Sequence, residues 1–200
     1  MPRIPALNPK DAGPIIKIGY RMARKQVGEV PEPFAVLAHH RKLFVASARH
    51  ELALQKAMHA MPQGLFELAV YRTAWTVGCS WCVDFGAMLQ RLEGLDVDRL
   101  KAIAEFETSP QFSDAEREVI RYADAMTQTP MTVTDEQVAA LVQTYGHEGV
   151  LELTYQISHE NQRARMNHAL GITDQGFSSG DQCRVPWSVD PVSESATTAP

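Results

Sequence analysis

Two cysteines three positions apart, Cys79 and Cys82, are the residues of this sequence best suited to chemistry. They follow Gly78, a residue type that often ends a helix, so a helix that begins near Cys79 places both sulfurs in its first turn. Unpaired backbone N–H groups and the positive end of the helix dipole favour a thiolate there. Thiolates attack peroxides and disulfides, and this spacing also lets the pair close a disulfide. The motif therefore predicts redox chemistry in which one sulfur attacks and the other resolves.

The pair has two other interpretations. Two unreactive cysteines can lie close together in a core, because free Cys is often a small buried hydrophobe. A structural zinc ion needs four ligands, but the sequence has neither a second cysteine pair nor a His pair at ligand spacing. We therefore favour redox chemistry and expect neither a metal nor another cofactor. The third cysteine, Cys183, is expected to be an inert thiol.

The overall charge argues against two classes of partner. The 200 residues have a formal net charge of -5 and a pI near 5.8, whereas nucleic acids and anionic membranes attract clustered Lys and Arg. No window approaches the roughly 18 consecutive apolar residues of a membrane span, and the first residues lack the pattern of a signal peptide. We therefore expect a cytoplasmic protein that binds neither nucleic acid nor membrane.

Apolar residues at three- and four-residue intervals predict helices over most of the chain. The first two are predicted over residues 11–27 and 34–58, with a turn rich in helix breakers between them. A helix over residues 63–77 ends at Gly78, and another follows over residues 80–92. No alternating pattern of a strand stands out, so the predicted fold class is all-α.

Two later helices begin at capping boxes, in which a hydroxyl side chain and a Glu or Gln three residues later pair with backbone N–H groups. These pairs are Ser113 with Glu116 and Thr134 with Gln137. The later helices are predicted over residues 96 or 98 to 106, 113–126, 134–145 and 148–170. The total is seven or eight helices, followed by an irregular tail that lacks helical periodicity.

The segment from Glu67 to Cys82 resembles the core motif of the carboxymuconolactone decarboxylase and alkylhydroperoxidase D superfamily. In the peroxidatic branch of that superfamily a Glu lies twelve positions before the first cysteine, and Glu67 and Cys79 keep this spacing. The resemblance extends over about residues 30–172. It implies a compact alkylhydroperoxidase D-like domain over residues 1–172, with residues 173–200 as an extended tail. It also implies assembly into homo-oligomers.

The resemblance assigns roles to three residues. Cys82 resembles the cysteine that attacks peroxide, Cys79 the resolving thiol, and Glu67 the acid of a proton relay. The implied function is a thiol-dependent, peroxiredoxin-type peroxidase that is reduced by an external dithiol partner. Apolar walls would suit an organic hydroperoxide, and the candidates for them are Trp75, Trp81, Phe85 and Met88.

One position departs from the family pattern. A His that accepts the proton of the second cysteine is expected four residues after Cys82, and this sequence has Gly86 there. A glycine has no side chain to act as a base. Asp84 lies close in sequence, but a carboxylate would raise the pKa of the thiol, which opposes activation. The candidate substitutes on other helices are His39, His40, His159 and His168.

Two alternative functions remain open at this point. A decarboxylase-like lyase would not need the cysteines and would require a basic residue for a substrate carboxylate, for which Arg72, Arg163 and Arg165 are candidates. An oligomeric redox sensor would oxidise its cysteine pair without turning over. The missing His at Gly86 keeps the sensor among the alternatives.

Overall fold

The computed structural model describes residues 2–178, and within them the chain is all-α, as predicted. Seven α-helices and one 3-10 helix make up this described part of the chain. Their bounds are α1 Pro14–Val27, α2 Glu32–Leu37, α3 Arg41–Ala57, α4 Gln63–Val77, α5 Ser80–Leu92, the 3-10 helix Asp98–Glu105, α6 Asp114–Thr127 and α7 Asp135–Ala169.

Helix α4 is the centre of the fold, because it packs against α5, α6 and α7. Its buried residues are spread around the helix rather than confined to one stripe, which is typical of a helix covered on several sides. Gly78 ends α4 in the left-handed conformation, with φ 83°, and its N–H bonds to the carbonyl groups of Ala74 and Trp75. This close reversal starts α5 at Ser80, so both predicted helices around the cysteines are confirmed.

The other predicted helices are present, with several changes. The first begins at Pro14 rather than at residue 11, and the helix predicted from residue 96 or 98 to 106 is a 3-10 helix. Both capping boxes are present, at the starts of α6 and α7. The helix predicted over residues 34–58 is instead two helices, because the chain leaves the helical conformation at His40, whose side chain accepts the N–H of Leu43 at the start of α3. The break expected before residue 148 lies at Gly146, with φ 69° and ψ 174° inside α7.

The core is divided into three apolar clusters. One lies among α1, α2 and α3, another joins α4 to α6 and α7, and the third contains Cys79 and Cys82 together with residues from α4, α5, the 3-10 helix and α7. Residues 172–178 pack against this third cluster through Ile172 and Phe177. The rest of the predicted tail, with Cys183, lies outside the described residues. No helix among residues 2–178 is long and apolar enough to cross a membrane.

Candidate redox site

Cys79 and Cys82 form a disulfide at the start of α5, with 5.3 Å between their Cα atoms. Cys79 is the N-cap residue, and its sulfur accepts the backbone N–H of Cys82 at 3.2 Å. The predicted place of both sulfurs at a helix N-terminus is therefore confirmed. The two residues differ in exposure, with Cys79 at 2% and Cys82 at 8%. The disulfide is nearly enclosed, and Cys82 is its more accessible end.

Asn167 on α7 is the polar side chain that bonds the sulfurs. Its amide nitrogen lies 3.4 Å from the sulfur of Cys82 and 3.8 Å from that of Cys79. The residue is 2% exposed, and its Oδ1 atom is buried without a hydrogen-bond partner among the described residues. Asn167 was not among the residues predicted for the site. One feature of the sequence could have identified it. Asn167 is a polar residue at helical spacing from the apolar residues Ile157 and Ala164, which are buried on the same helix.

Aromatic side chains form one wall beside the pair. Trp81, between the two cysteines, stacks on Phe85 at 4.7 Å between ring centroids, and Phe177 meets both rings edge-on. Trp75 has a different neighbour, since the guanidinium of Arg72 lies 4.4 Å above its ring. Trp81, Phe85 and Trp75 thus belong to or pack against the cluster that contains the cysteines, as predicted, and Phe177 joins them from the C-terminal segment, whereas Met88 is not part of this cluster.

Gly86, at the position where the superfamily pattern has a His, faces α4. A Cβ atom built there would lie 3.6 Å from a ring carbon of Tyr71, an ordinary contact distance. The four histidines considered as replacements are engaged elsewhere or exposed. His39 bonds to the carbonyl of Pro5, His40 caps α3, His159 bonds to Glu51, and His168 is exposed near the end of α7.

Glu67 belongs to a group of partly buried charged side chains on α3, α4 and α7. Arg163 bonds to Glu160 at 2.7 Å and to Glu51 at 3.1 Å, and Glu51 also pairs with His159 at 2.8 Å. Burial raises the pKa of Glu67 to about 7, the negative charges of Glu93 and Glu160 add to this effect, and Arg163 opposes it. Glu67 therefore changes protonation near neutral pH. Its role in a proton relay stays a prediction.

Asp84 has a structural role that was not predicted from the sequence. It is fully buried, and its two carboxylate oxygens accept five hydrogen bonds at 2.8–3.0 Å. The donors are the backbone N–H groups of residues 175–178 and the hydroxyl of Ser178. The carboxylate two residues after Cys82 thus binds the C-terminal segment to α5.

Gln175 extends this attachment beyond α5. Its Oε1 atom accepts the indole N–H of Trp81 at 2.7 Å and the backbone N–H of Glu32 at 2.6 Å. The C-terminal segment therefore connects the aromatic wall beside the disulfide to the start of α2.

The three arginines proposed for a substrate carboxylate are all bonded within the protein. Arg72 forms a two-point ion pair with Asp124 and donates to the carbonyl of Ile103. Arg163 binds acidic side chains, as described above, and Arg165 donates to the carbonyl of Thr127. A shallow depression of about 350 Å³ beside Arg165 is lined by seven residues of α6, α7 and the connection between them, and neither Cys79 nor Cys82 is among them.

Metal binding has no geometric support in the described part of the chain. Within residues 2–178, no three side chains of the His, Cys, Asp and Glu types are grouped so that they could hold an ion.

The sequence is similar to one protein of Escherichia coli K12, the uncharacterised protein YnjA. The two are 31% identical over 163 residues, which cover 82% of this chain and 87% of YnjA. The chain belongs to the YnjA family. No protein-family model matches the sequence.

Solved structures show the same fold at lower identity. The debrominase Bmp8 superposes with a TM-score of 0.76 at 20% identity and covers 89% of this chain and 95% of its own. A cysteine-to-alanine variant of Bmp8 in complex with 2,3,4-tribromopyrrole gives 0.74 at 20% identity, covering 89% of this chain and 94% of its own. The alkylhydroperoxidase AhpD core of a peroxidase-related protein from Ralstonia eutropha JMP134 superposes with a TM-score of 0.73 at 18% identity. The match covers 88% of this chain and 94% of that protein. The predicted alkylhydroperoxidase D-like fold is confirmed.

Replacing Asp84 should loosen the C-terminal segment. Asp84→Asn keeps the shape of the side chain but puts an NH₂ donor against backbone N–H donors. Because buried donors are then left unpaired, we expect the free energy of unfolding to fall by about 3 kcal/mol. The measurement is chemical denaturation. Asp174→Asn, at an exposed position of the same segment, is the matched control and should change stability little. Equal stability of both variants and the wild type would contradict this role of Asp84.

Glu67 should make the stability of the protein depend on pH. The folded protein holds the proton of Glu67 up to about pH 7, whereas the unfolded chain releases it near 4.5. The folded state therefore binds more protons between these values, so stability falls as the pH rises through this window. Glu67→Gln removes the ionisation. We expect its free energy of unfolding, relative to wild type, to be greater at about pH 8 than at about pH 5 by on the order of 1–2 kcal/mol.

The control for this measurement is Glu148→Gln, an exposed carboxylate on α7. Its effect should be the same at both pH values. A Glu67→Gln effect that is equally independent of pH would show that Glu67 is ionised throughout this range.

Proposed function

We propose that the protein is a thiol-dependent peroxidase that reduces organic hydroperoxides with Cys79 and Cys82 and is recycled by an external dithiol. The main support is the disulfide itself, which lies in the first turn of α5 where both its own backbone and Asn167 present N–H groups to sulfur. These groups favour the thiolates that form on reduction. The enclosing aromatic and aliphatic side chains suit an organic peroxide better than a charged substrate.

Cys82 is assigned as the attacking residue and Cys79 as the resolving one. Cys82 is the more exposed of the two, so peroxide and reductant reach it first. The sulfur of Cys79 accepts the N–H of Cys82, which stabilises it as a thiolate leaving group when a dithiol attacks Cys82. Leaving groups of low thiol pKa depart faster in disulfide exchange. Accessibility and leaving-group stability thus favour the same assignment.

The proposed cycle consumes one hydroperoxide and one dithiol. The Cys82 thiolate attacks the terminal, proton-bearing oxygen of the hydroperoxide, which breaks the O–O bond and gives a sulfenic acid and an alkoxide. The alkoxide takes a proton to become the alcohol. The thiol of Cys79 then attacks the sulfenic sulfur and releases water, which forms the disulfide. An external dithiol restores both thiols and becomes a disulfide itself.

Glu67 is assigned a role in proton supply. Its pKa of about 7 means that protonated and ionised forms coexist at neutral pH. Such a group can give a proton near the pH at which the enzyme works and regain it from solvent. Arg163 and Glu160 on α7 interact electrostatically with Glu67, and Asn167 follows Arg163 by about one turn of the same helix. We propose that this charged group is the route by which protons reach the thiol site.

Reductive removal of bromine is a second candidate. It is suggested by the likeness to the fold of Bmp8, a debrominase, and by the stacked rings of Trp81 and Phe85 beside the pair, which suit a flat halogenated ring. Two thiols would replace an aryl bromine with hydrogen and yield a disulfide and HBr. The lyase alternative has less support, because Arg72, Arg163 and Arg165 are each held by other groups.

The test is steady-state reduction of cumene hydroperoxide with dithiothreitol, comparing wild type with Cys82→Ser, Cys79→Ser and Cys183→Ser. Loss of the attacking thiolate should lower turnover by a factor of at least about 100 in Cys82→Ser. Cys79→Ser cannot form the Cys79–Cys82 disulfide, so its turnover should fall and should depend on direct reduction of the Cys82 sulfenic acid by dithiothreitol. Cys183→Ser is the matched control, a cysteine outside the pair, and should retain wild-type turnover.

Three other results would contradict the peroxidase proposal. Stoichiometric oxidation of the wild type without turnover identifies a sensor. Turnover that does not depend on either cysteine of the pair shows that another site acts. Release of bromide from tribromopyrrole, together with inactivity towards hydroperoxide, identifies the debrominating function instead.

A further inference from the structure

Asn167 is a buried polar residue placed against a reactive group. It comes from α7, whereas the cysteines lie at the start of α5, so tertiary packing alone brings them together. Its amide nitrogen lies within hydrogen-bond reach of both sulfurs. Its backbone carbonyl accepts the N–H of Ile172, a contact that does not involve the side chain.

The orientation of the amide follows from the chemistry of its neighbours. Disulfide sulfurs offer lone pairs and no proton, so the NH₂ end of the amide is the end that can bond them. The carbonyl end, Oδ1, is then left buried and without a hydrogen-bond partner among the described residues. Buried carbonyl oxygens are nearly always paired, so Oδ1 has the capacity to accept a hydrogen bond from a donor that enters the site.

We propose that Asn167 is a catalytic residue with two functions, an inference whose second part rests on the proposed peroxidase function. Its NH₂ group donates a hydrogen bond to the Cys82 thiolate. Its Oδ1 accepts the O–H of the hydroperoxide and so holds the terminal oxygen beside the attacking sulfur. The class of ligand is one with a terminal O–H donor next to a weak O–O bond.

This arrangement explains how the site works with Gly86 in place of a His. A neutral amide does not take up a proton, so Asn167 stabilises the thiolate after the proton has left for solvent or for Glu67. The hydroperoxide keeps its proton on the oxygen that moves to sulfur, so binding of this O–H to Oδ1 is compatible with the attack. The products are the sulfenic acid of Cys82 and an alkoxide, which is protonated to the alcohol.

The thiolate function is tested without any peroxide. The fully reduced protein is alkylated with iodoacetamide over a range of pH, comparing wild type with Asn167→Ala, Asn167→Asp and Asn161→Ala. Loss of one hydrogen bond to the thiolate should raise the pKa of the reacting thiol by about one unit, which slows alkylation near neutral pH about tenfold. Asn167→Asp keeps the shape, removes the donor and adds a negative charge, so it should slow alkylation further.

Asn161→Ala is the matched control. Asn161 lies on the same helix and bonds to Thr127 and Ile157 rather than to sulfur, so its alkylation profile should follow that of the wild type. The elements packed around the pair carry further titratable groups, among them Tyr71 and Glu67 on α4, Asp84 on α5, and Glu160, Arg163 and His168 on α7. These residues are unchanged in all variants, so a shifted profile is assigned to Asn167. Thermal melting by circular dichroism verifies that each variant is folded, and the isosteric Asn167→Asp keeps the test valid if Asn167→Ala does not fold.

The peroxide contact is tested by comparing two rates in the same variant. If Oδ1 binds the hydroperoxide, kcat/KM for cumene hydroperoxide should fall in Asn167→Ala by about tenfold more than the alkylation rate does. Equal falls in both rates would overturn the peroxide contact. Alkylation profiles of both Asn167 variants that match the wild type would overturn the thiolate function.

The outcomes also separate this inference from the proposed function. A wild type that never turns over hydroperoxide contradicts the peroxidase proposal and with it the role of Oδ1. The alkylation profiles then still decide whether Asn167 stabilises the thiolate.

Discussion

The left-handed reversal at Gly78 is the constraint on which the rest of the site depends. A residue with a side chain is strained at φ 83°, and this conformation lets α4 end and α5 begin within three residues. Cys79 can then cap α5 while α4 remains covered by α6 and α7.

The second requirement is that α7 place polar groups inside the fold. Glu160, Arg163 and Asn167 follow one another at helical spacing along its inner side. Burial of the Glu160 carboxylate is unfavourable unless a partner is present, and burial raises its pKa although Arg163 opposes the change. Buried ion pairs add little net stability.

The residues after Cys82 connect the site to the end of the described chain. The Asp84 carboxylate accepts a run of successive backbone N–H groups, and such a run forms a concave anion-binding turn. The segment it holds brings Phe177 against Trp81 and Phe85. The motif therefore supplies both the thiols and the anchor of the segment that covers their aromatic wall.

The helices and the local geometry of the cysteines could be predicted from the sequence. The signals used for these predictions are local, since each depends on neighbours within about one helical turn. They are the glycine at the chain reversal, the capping boxes at Ser113 and Thr134, and the apolar periodicity. For the same reason the pair at the start of α5 was predictable. The break near His40 was not, because the competing side-chain cap is a weak signal within a continuous apolar pattern.

The groups that surround the sulfurs could not be predicted, because they come from distant parts of the chain. Asn167 lies 85 positions after Cys82 in the sequence, and the partners of Asp84 lie more than 90 positions after it. Contacts at such separations depend on the packing of α7 and the C-terminal segment against α5, which no local pattern specifies. The charged neighbours that raise the pKa of Glu67 come from α5 and α7 in the same way. Residue type and spacing therefore identify the groups that can react, whereas the side chains and backbone groups that contact them depend on tertiary packing.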